Sequence, residues 1–306
     1  MATPIPLDLT GKTALITGGS NGIGAAMVQA YARLNASIVI ADLPSTSSSA
    51  KKVIDSLKHP ARAIFVPVDI TDWSSMVGLF KTAISRFGTV DIVVANAGVM
   101  ETKPFFDFEV DEATGDLRED AGVTRVLDIN LKGTMNTPST AQTSKQTASL
   151  RAQQTRGSIV LISSTSGFFG GTSVVSYCAS KHGVIGLLRA SQAAARRFGI
   201  QVNGVAPFIT PTFITEAYSG KYRRRGLPLN TPENVADVVV GTSLALGAEQ
   251  ASGMCFLVAG GTTREVEGPR NAAVASYMGE YVKLALDQAR EFFEDLGGYP
   301  LPQARV

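Results

Sequence analysis

Tyr177 and Lys181, in Tyr177-Cys-Ala-Ser-Lys181, with Ser164 thirteen residues upstream, are the residues of this chain best suited to chemistry. On a helix this spacing puts the tyrosine and the lysine on one face. A tyrosine titrates near ~10 and so holds its proton at neutral pH. A cation beside it favours the phenolate, and a hydroxyl donor can hold the same reacting oxygen. Such a trio suits an enzyme that moves a proton on or off a carbinol oxygen. The spacing alone also fits a surface tyrosine and lysine on an ordinary helix, so the surrounding elements decide between the two.

Those elements alternate. Apolar runs at Lys12–Thr17, Ser37–Ala41, Ala61–Val66, Asp91–Ala95, Ser158–Ile162, Gln201–Ala206 and Met254–Val258 read as seven strands. Helical stretches lie between them, notably Gly22–Asn35, Trp73–Phe87 and Val175–Phe198. Thr231-Pro232-Glu233 opens another, with a capping threonine, a proline at the first helical position and an acid in the first turn. Wholly apolar strands alternating with helices predict a parallel sheet covered on both faces, a three-layer, doubly wound α/β fold. Two segments break the rhythm: the acid-rich stretch Glu101–Gly122, and a tail after Gly260-Gly261 in which Ala272–Phe293 has helical character. The predicted organisation is one domain over 1–260. The helical extension, 261–306, packs on that domain or at a subunit interface.

The first strand runs into Thr17-Gly-Gly-Ser-Asn-Gly22-Ile-Gly24. Glycines at 18, 22 and 24 permit a tight turn and a close approach of backbone to pyrophosphate, and the following helix offers free N–H groups to phosphate. Ser20 and Asn21 belong to the same turn. Asp42 ends the second strand, eighteen residues past Gly24, and Leu43-Pro44-Ser45 follows with no arginine. An acid there can bind the adenosine ribose and repels a 2′-phosphate, which favours NAD over NADP; a strand-end turn cap is the alternative. Asp69, followed by Ile70 after the third strand, either meets the adenine or opens the turn into the next helix.

Composition narrows the classes. Apolar residues make up 44% and charged residues 18% of 306, enough for a sizeable core. A net charge of +2 gives no electrostatic basis for nucleic acid or a membrane surface. MATPIPLDLTGK lacks a basic segment followed by an apolar stretch, so no secretory signal is expected, and no apolar run approaches the ~20 residues of a membrane span. Cys178 and Cys255 are the only cysteines and have no metal-like spacing. Both read as buried small hydrophobes of a reducing, cytoplasmic compartment, and no metal is expected.

Over roughly residues 8–260 the chain resembles the short-chain dehydrogenases/reductases. TGGSNGIG at 17–24, Asp69, Asn96-Ala97-Gly98, Asn130 in INLKG, Ser163-Ser164 and Tyr177-x-x-x-Lys181 carry the resemblance. It implies a Rossmann-like sheet and an enzyme that uses NAD to interconvert a secondary alcohol and a ketone. It implies Tyr177 as general acid/base and Ser164 as the hydrogen bond on the reacting oxygen. Lys181 then lowers the tyrosine pKa and binds the nicotinamide ribose, and Asn130 holds a water in a relay to Lys181. Ile23 lies by the pyrophosphate loop, Asp69 meets the adenine and Asn96-Ala97-Gly98 supports the sheet beside the cofactor. Thr212, five residues past Pro207, matches a threonine that meets the nicotinamide carboxamide. Where the family has Pro-Gly, this chain has Pro207-Phe208. That aromatic and the long tail are similar to hydroxyprostaglandin-dehydrogenase-like members, which act on lipid or secondary-metabolite alcohols. Phe169, Phe208 and Phe213 are then candidates for an apolar substrate pocket. Gly183, Gly186, Ala190 and Ala194 form a small-residue strip on one helix, consistent with a contact between subunits of a homodimer or homotetramer. An NADPH ketoreductase and a cofactor-bound, non-redox binding protein are the rival readings.

Overall fold

The computed structural model describes residues 7–145, 157–244 and 252–302. Part of the start read above (1–6) and the end of the tail (303–306) lie outside the described residues. The chain divides into two compact units, Met1–Arg264 and Glu265–Val306.

In the first unit the strands are β1 (Thr13–Thr17), β2 (Ser37–Asp42), β3 (Ala63–Pro67), β4 (Ile92–Ala95), β5 (Gly157–Ile162), β6 (Ile200–Pro207) and β7 (Cys255–Ala259). They pair in parallel in the order β3-β2-β1-β4-β5-β6-β7. Residues of β1, β4, β5 and β6 are buried throughout, as a sheet covered on both faces requires. An eighth strand, β8 (Thr262–Glu265), adds to β7 at the sheet edge. Only two residues, Gly260 and Gly261, connect the two strands; a link that short joins antiparallel neighbours. Both glycines have positive φ, +56° and +85°, the conformation such hairpins need. The seven expected parallel strands are therefore present, with one more.

The helices of this unit are α1 (Gly22–Arg33), α2 (Ser47–Asp55), α3 (Trp73–Phe87), α4 (Ala121–Leu127), α5 (Thr134–Lys145), α6 (Val175–Ala190), α7 (Gln192–Arg197), α8 (Glu216–Arg224) and α9 (Pro232–Leu244). Between α4 and α5 the chain makes a π turn, Asp128–Gly133. The expected helix Val175–Phe198 is two helices, α6 and α7, that meet at Ser191. α1 and α9 cover one face together: Met27, Val28, Tyr31, Val235, Ala236 and Val239 join Ile16, Ile38, Val94 and Val205 in one core cluster. The Tyr31 hydroxyl is satisfied inside that core by Ser243 Oγ at 2.8 Å.

The second unit holds α10 (Glu267–Ala272), α11 (Val274–Met278) and α12 (Glu280–Asp295). The single helix expected over Ala272–Phe293 is broken at Gly279, whose φ of +91° no helix interior accepts. α12 buries none of its residues. Cys255 is buried but Cys178 is only half-buried, which corrects the expectation for the latter. Among the described residues no group of His, Cys, Asp and Glu could hold a metal ion, and no helix is long and apolar enough to cross a membrane.

Candidate active site

The glycine turn after β1 is held from below. Thr17 Oγ1 accepts from the N–H groups of Asn96 (3.0 Å) and Ala97 (3.2 Å). Asn96 Nδ2 donates to the carbonyls of Thr17 (3.0 Å) and Gly18 (3.1 Å). This clamp fastens the end of β1 to the end of β4. The glycines leave no room for side chains. A Cβ on Gly24 would lie 2.0 Å from the Gly18 carbonyl oxygen, and one on Gly18 2.9 Å from Ala97 Cα. Gly22 has a φ of +53°, and its added Cβ would meet Thr212 at 3.1 Å.

Beside this turn lies a cavity of about 1040 Å³. Gly18, Asn21, Gly22, Ile23, Asp42, Asp69, Ile70, Asn96, Ala97, Gly98 and Thr212 line it, all residues of the expected cofactor set. Ser20, Tyr177, Lys181 and Pro207, of the same set, do not line it. Ser20 is buried, and its N–H donates to Asp42 Oδ2 at 3.0 Å. Asp42 Oδ1 accepts from the Leu43 N–H at 2.8 Å, so the carboxylate also serves as the turn cap that was its alternative role. Asp69 likewise does what its alternative supposed, accepting from Thr71 N–H (2.9 Å) and Thr71 Oγ1 (2.7 Å). Glu119, Thr124, Arg125 and Asp128 also line the cavity. They come from the acidic stretch, α4 and the π turn, whose irregular sequence carried no periodic signal pointing to it.

The chemical residues gather behind the cavity wall at Gly98. A Cβ there would come within 3.2 Å of Asn130 Oδ1 and 3.6 Å of Lys181 Nζ. Asn130 is fully buried on the π turn. Its Nδ2 donates to Val99 O (2.8 Å) and Ser180 Oγ (3.0 Å), and its Oδ1 accepts from the Val99 N–H (2.8 Å). π turns of this kind concentrate at functional sites. Lys181 is buried on α6; its ammonium donates to the Ile162 carbonyl at 2.9 Å and lies 5.6 Å from the centre of the Tyr177 ring. Ser164, two residues past β5, is buried; its hydroxyl donates to the Pro207 carbonyl at 3.5 Å, and it lies near enough to the Tyr177 phenol to pull it down. Ser164 Oγ also accepts from the Ser166 N–H at 3.1 Å, which orients it. The neighbouring Ser163 is turned away, donating to the Lys181 carbonyl at 3.0 Å. That separates the two serines that the sequence set side by side.

Electrostatics here differ from the expectation. Burial pushes the Tyr177 phenol up to about 12, outweighing the Ser164 hydrogen bond that pulls it down. Burial likewise pushes the Lys181 ammonium down to about 8. A lysine-lowered tyrosine was expected. In the structure the ammonium faces a carbonyl and the ring, and desolvation dominates both groups.

Of the expected substrate aromatics, Phe213 lines the cavity and is 89% exposed. Phe169 is exposed and Phe208 half-buried, and neither lines it. The Phe208 ring packs edge-on against Tyr222 of α8 at 6.4 Å between centres. In the small-residue strip, an added Cβ on Gly183 would meet Leu131 at 2.8 Å, so that position serves a contact within the chain.

The family model described as short chain dehydrogenase matches residues 12–223. The chain belongs to the short-chain dehydrogenase family. Among members of this family, whose enzymes use NAD(P) to act on CH–OH groups, it is 34% identical over 238 residues to short-chain dehydrogenase/reductase prx4 of Penicillium rubens. That match covers 78% of this chain and 66% of the relative, so the chain spans just under two thirds of that protein's length. It is 31% identical over 282 residues to (+)-borneol dehydrogenase 2 of Salvia officinalis, covering 85% of this chain and 92% of the other. Its structure is similar to the crystal structure of a short-chain type dehydrogenase/reductase from Mycobacterium marinum, with a TM-score of 0.71 and 26% identity. That likeness covers 83% of this chain and 96% of the other.

Proposed function

We propose that this short-chain dehydrogenase oxidises a secondary alcohol to a ketone with NAD, or runs the reverse reduction, on a bulky, largely apolar small molecule such as a lipid or secondary metabolite. The observation that carries the reading is the buried Lys181, its ammonium 5.6 Å from the centre of the Tyr177 ring and beside the Gly98 wall of a glycine-lined groove, with Ser164 acting on the same phenol. Its similarity to a borneol dehydrogenase supports a cyclic secondary alcohol as the substrate type.

The groove fits a dinucleotide because its floor is built of positions that a side chain would fill. The turn from Gly18 through Ser20, Asn21, Gly22 and Ile23, with the α1 N-terminus, holds the pyrophosphate. Asp42 takes the adenosine ribose, Asp69 and Ile70 flank the adenine, and Asn96, Ala97 and Gly98 form the wall. Lys181, Pro207 and Thr212 serve the nicotinamide end. When bound, NAD supplies the hydride acceptor. Tyr177 takes the hydroxyl proton in oxidation and returns it in reduction, while Ser164 holds the same oxygen. The Asn130 amide, committed to Val99 and Ser180, holds the π turn beside Lys181. The face of α6 at Gly186, where an added Cβ meets nothing within 4 Å, is the surface we assign to a second copy of the chain.

The test is a fluorescence titration with NAD and NADP, followed by turnover on a panel of cyclic and lipid secondary alcohols and their ketones. NAD binding and growth of reduced-nicotinamide absorbance are expected; absence of both ends the reading. Asp42→Ala is expected to narrow the preference for NAD over NADP by roughly 10- to 100-fold, the worth of a hydrogen bond to a charged group. A wild-type preference for NADP, or an unchanged ratio in the variant, assigns the cofactor the other way.

A further inference from the structure

α6 carries both Tyr177 and Lys181, yet its own sequence does not cap it. The residue before its first turn is Val174, which has no side-chain oxygen to offer. The first N–H groups of a helix have no partner inside it, and an apolar residue at the cap position leaves them open. Here the acceptor comes from far away in the chain. Glu101 Oε1 accepts from the Ser176 N–H at 3.1 Å, and Oε2 accepts from the Tyr177 N–H at 3.0 Å. A carboxylate at this end also opposes the positive end of the helix dipole.

The short run leading to Glu101 touches the other chemical residues in turn. Gly98 adjoins Lys181 Nζ and Asn130 Oδ1, and Val99 exchanges two hydrogen bonds with the Asn130 amide. Glu101 then binds the turn bearing Tyr177. At the far end of the acidic stretch, Asp120 caps α4 through the Gly122 N–H at 2.7 Å. The two ends of the acidic stretch thus hold the helices on either side of the site.

We propose that Glu101 is a positioning residue for the reaction: its carboxylate replaces the missing cap of α6 and fixes the turn that carries Tyr177. This rests on Tyr177 being the acid/base. The carboxylate also places a negative charge near the phenol. Burial acts most strongly on that phenol and raises it, and the Ser164 hydrogen bond opposes the rise. Tyr218 of α8, Cys178 and Glu101 then each add to it. The Lys181 ammonium lies 5.6 Å from the centre of the ring.

The experiment compares the pH profile of kcat for alcohol oxidation in the wild-type chain and in Glu101→Gln, Glu101→Ala and Glu101→Asp, with Tyr177→Phe alongside. Glu101→Ala is expected to lower the alkaline maximum by on the order of tenfold, the effect of a lost cap. Glu101→Gln keeps one acceptor and folds with the wild type. In both, the midpoint of the oxidation limb moves to lower pH, because an anion near the phenol has been removed; Glu101→Asp returns it toward the wild-type value. A merely structural cap would not move that midpoint. Midpoints for Gln and Ala that coincide with the wild type overturn the proposal. If instead Tyr177→Phe keeps its rate, the acid/base reading itself has failed.

Discussion

Tyr177→Phe lowers kcat by about 10³-fold, within the range a positioned general acid or base contributes, and leaves NAD affinity nearly unchanged. The phenylalanine keeps the ring under Lys181 and removes only the hydroxyl. The wild-type pH dependence belongs to the same expectation. Oxidation needs the phenolate, and burial has pushed the phenol up to about 12. The oxidation rate at neutral pH is therefore limited by a small phenolate fraction and climbs with pH. Reduction draws on the protonated form and stays flat over the same range. Rate measurements in both directions from neutral to alkaline pH check this. A flat oxidation profile together with an active Tyr177→Phe removes the tyrosine from the chemistry.

Lys181→Met is expected to lose turnover by about two to three orders of magnitude and to gain stability at neutral pH. Lys181 is 4% exposed, and burial moves its ammonium from 10.5 down to about 8. Holding that charge in the fold at pH 7 costs roughly 3 kcal/mol, at about 1.4 kcal/mol for each pH unit of displacement. Losing the hydrogen bond to the Ile162 carbonyl gives back about 1 kcal/mol of that gain. Below about pH 8 both folded and unfolded chains carry the proton, so the penalty is constant. From about 8 to 10.5 the unfolded chain binds more protons, and wild-type stability rises with pH. The variant's advantage in thermal melting is thus largest at neutral pH and shrinks across that window. A variant that melts lower at pH 7, or whose advantage does not change with pH, contradicts this account.

Where the physics was local, the sequence was sufficient. α3 spans Trp73–Phe87 as read, because both ends are written beside it. Asp72 caps it through the Ser75 N–H at 2.7 Å, and Gly88 ends it with a φ of +81°. α9 starts at Pro232 for the same reason, with Thr231 Oγ1 accepting from the Asn234 N–H. The Gly260-Gly261 pair was a legible hairpin signal that pointed to β8, although the tail was read as helical from that point. Gly279, with a φ of +91°, divides the tail helix although apolar periodicity continues on either side of it. The glycine turn, Asp42, Ser164, Tyr177 and Lys181 could be named from type and spacing, and Asn130 from the family resemblance. Glu101 could not, because its bonds reach 75 and 76 residues along the chain. The one available hint was negative: a valine where α6 needed an oxygen. The upward displacement of the phenol was equally out of reach, since it depends on how deeply α6 packs.

β8 gives the sheet a polar margin. It ends the sheet with Thr262, Thr263, Arg264 and Glu265, three of them exposed. The opposite edge strand, β3, ends in Pro67, which has no N–H to donate. Polar, charged and proline-bearing borders are poor templates for an incoming strand. Continuing the sheet from one molecule into the next is thereby disfavoured at both margins.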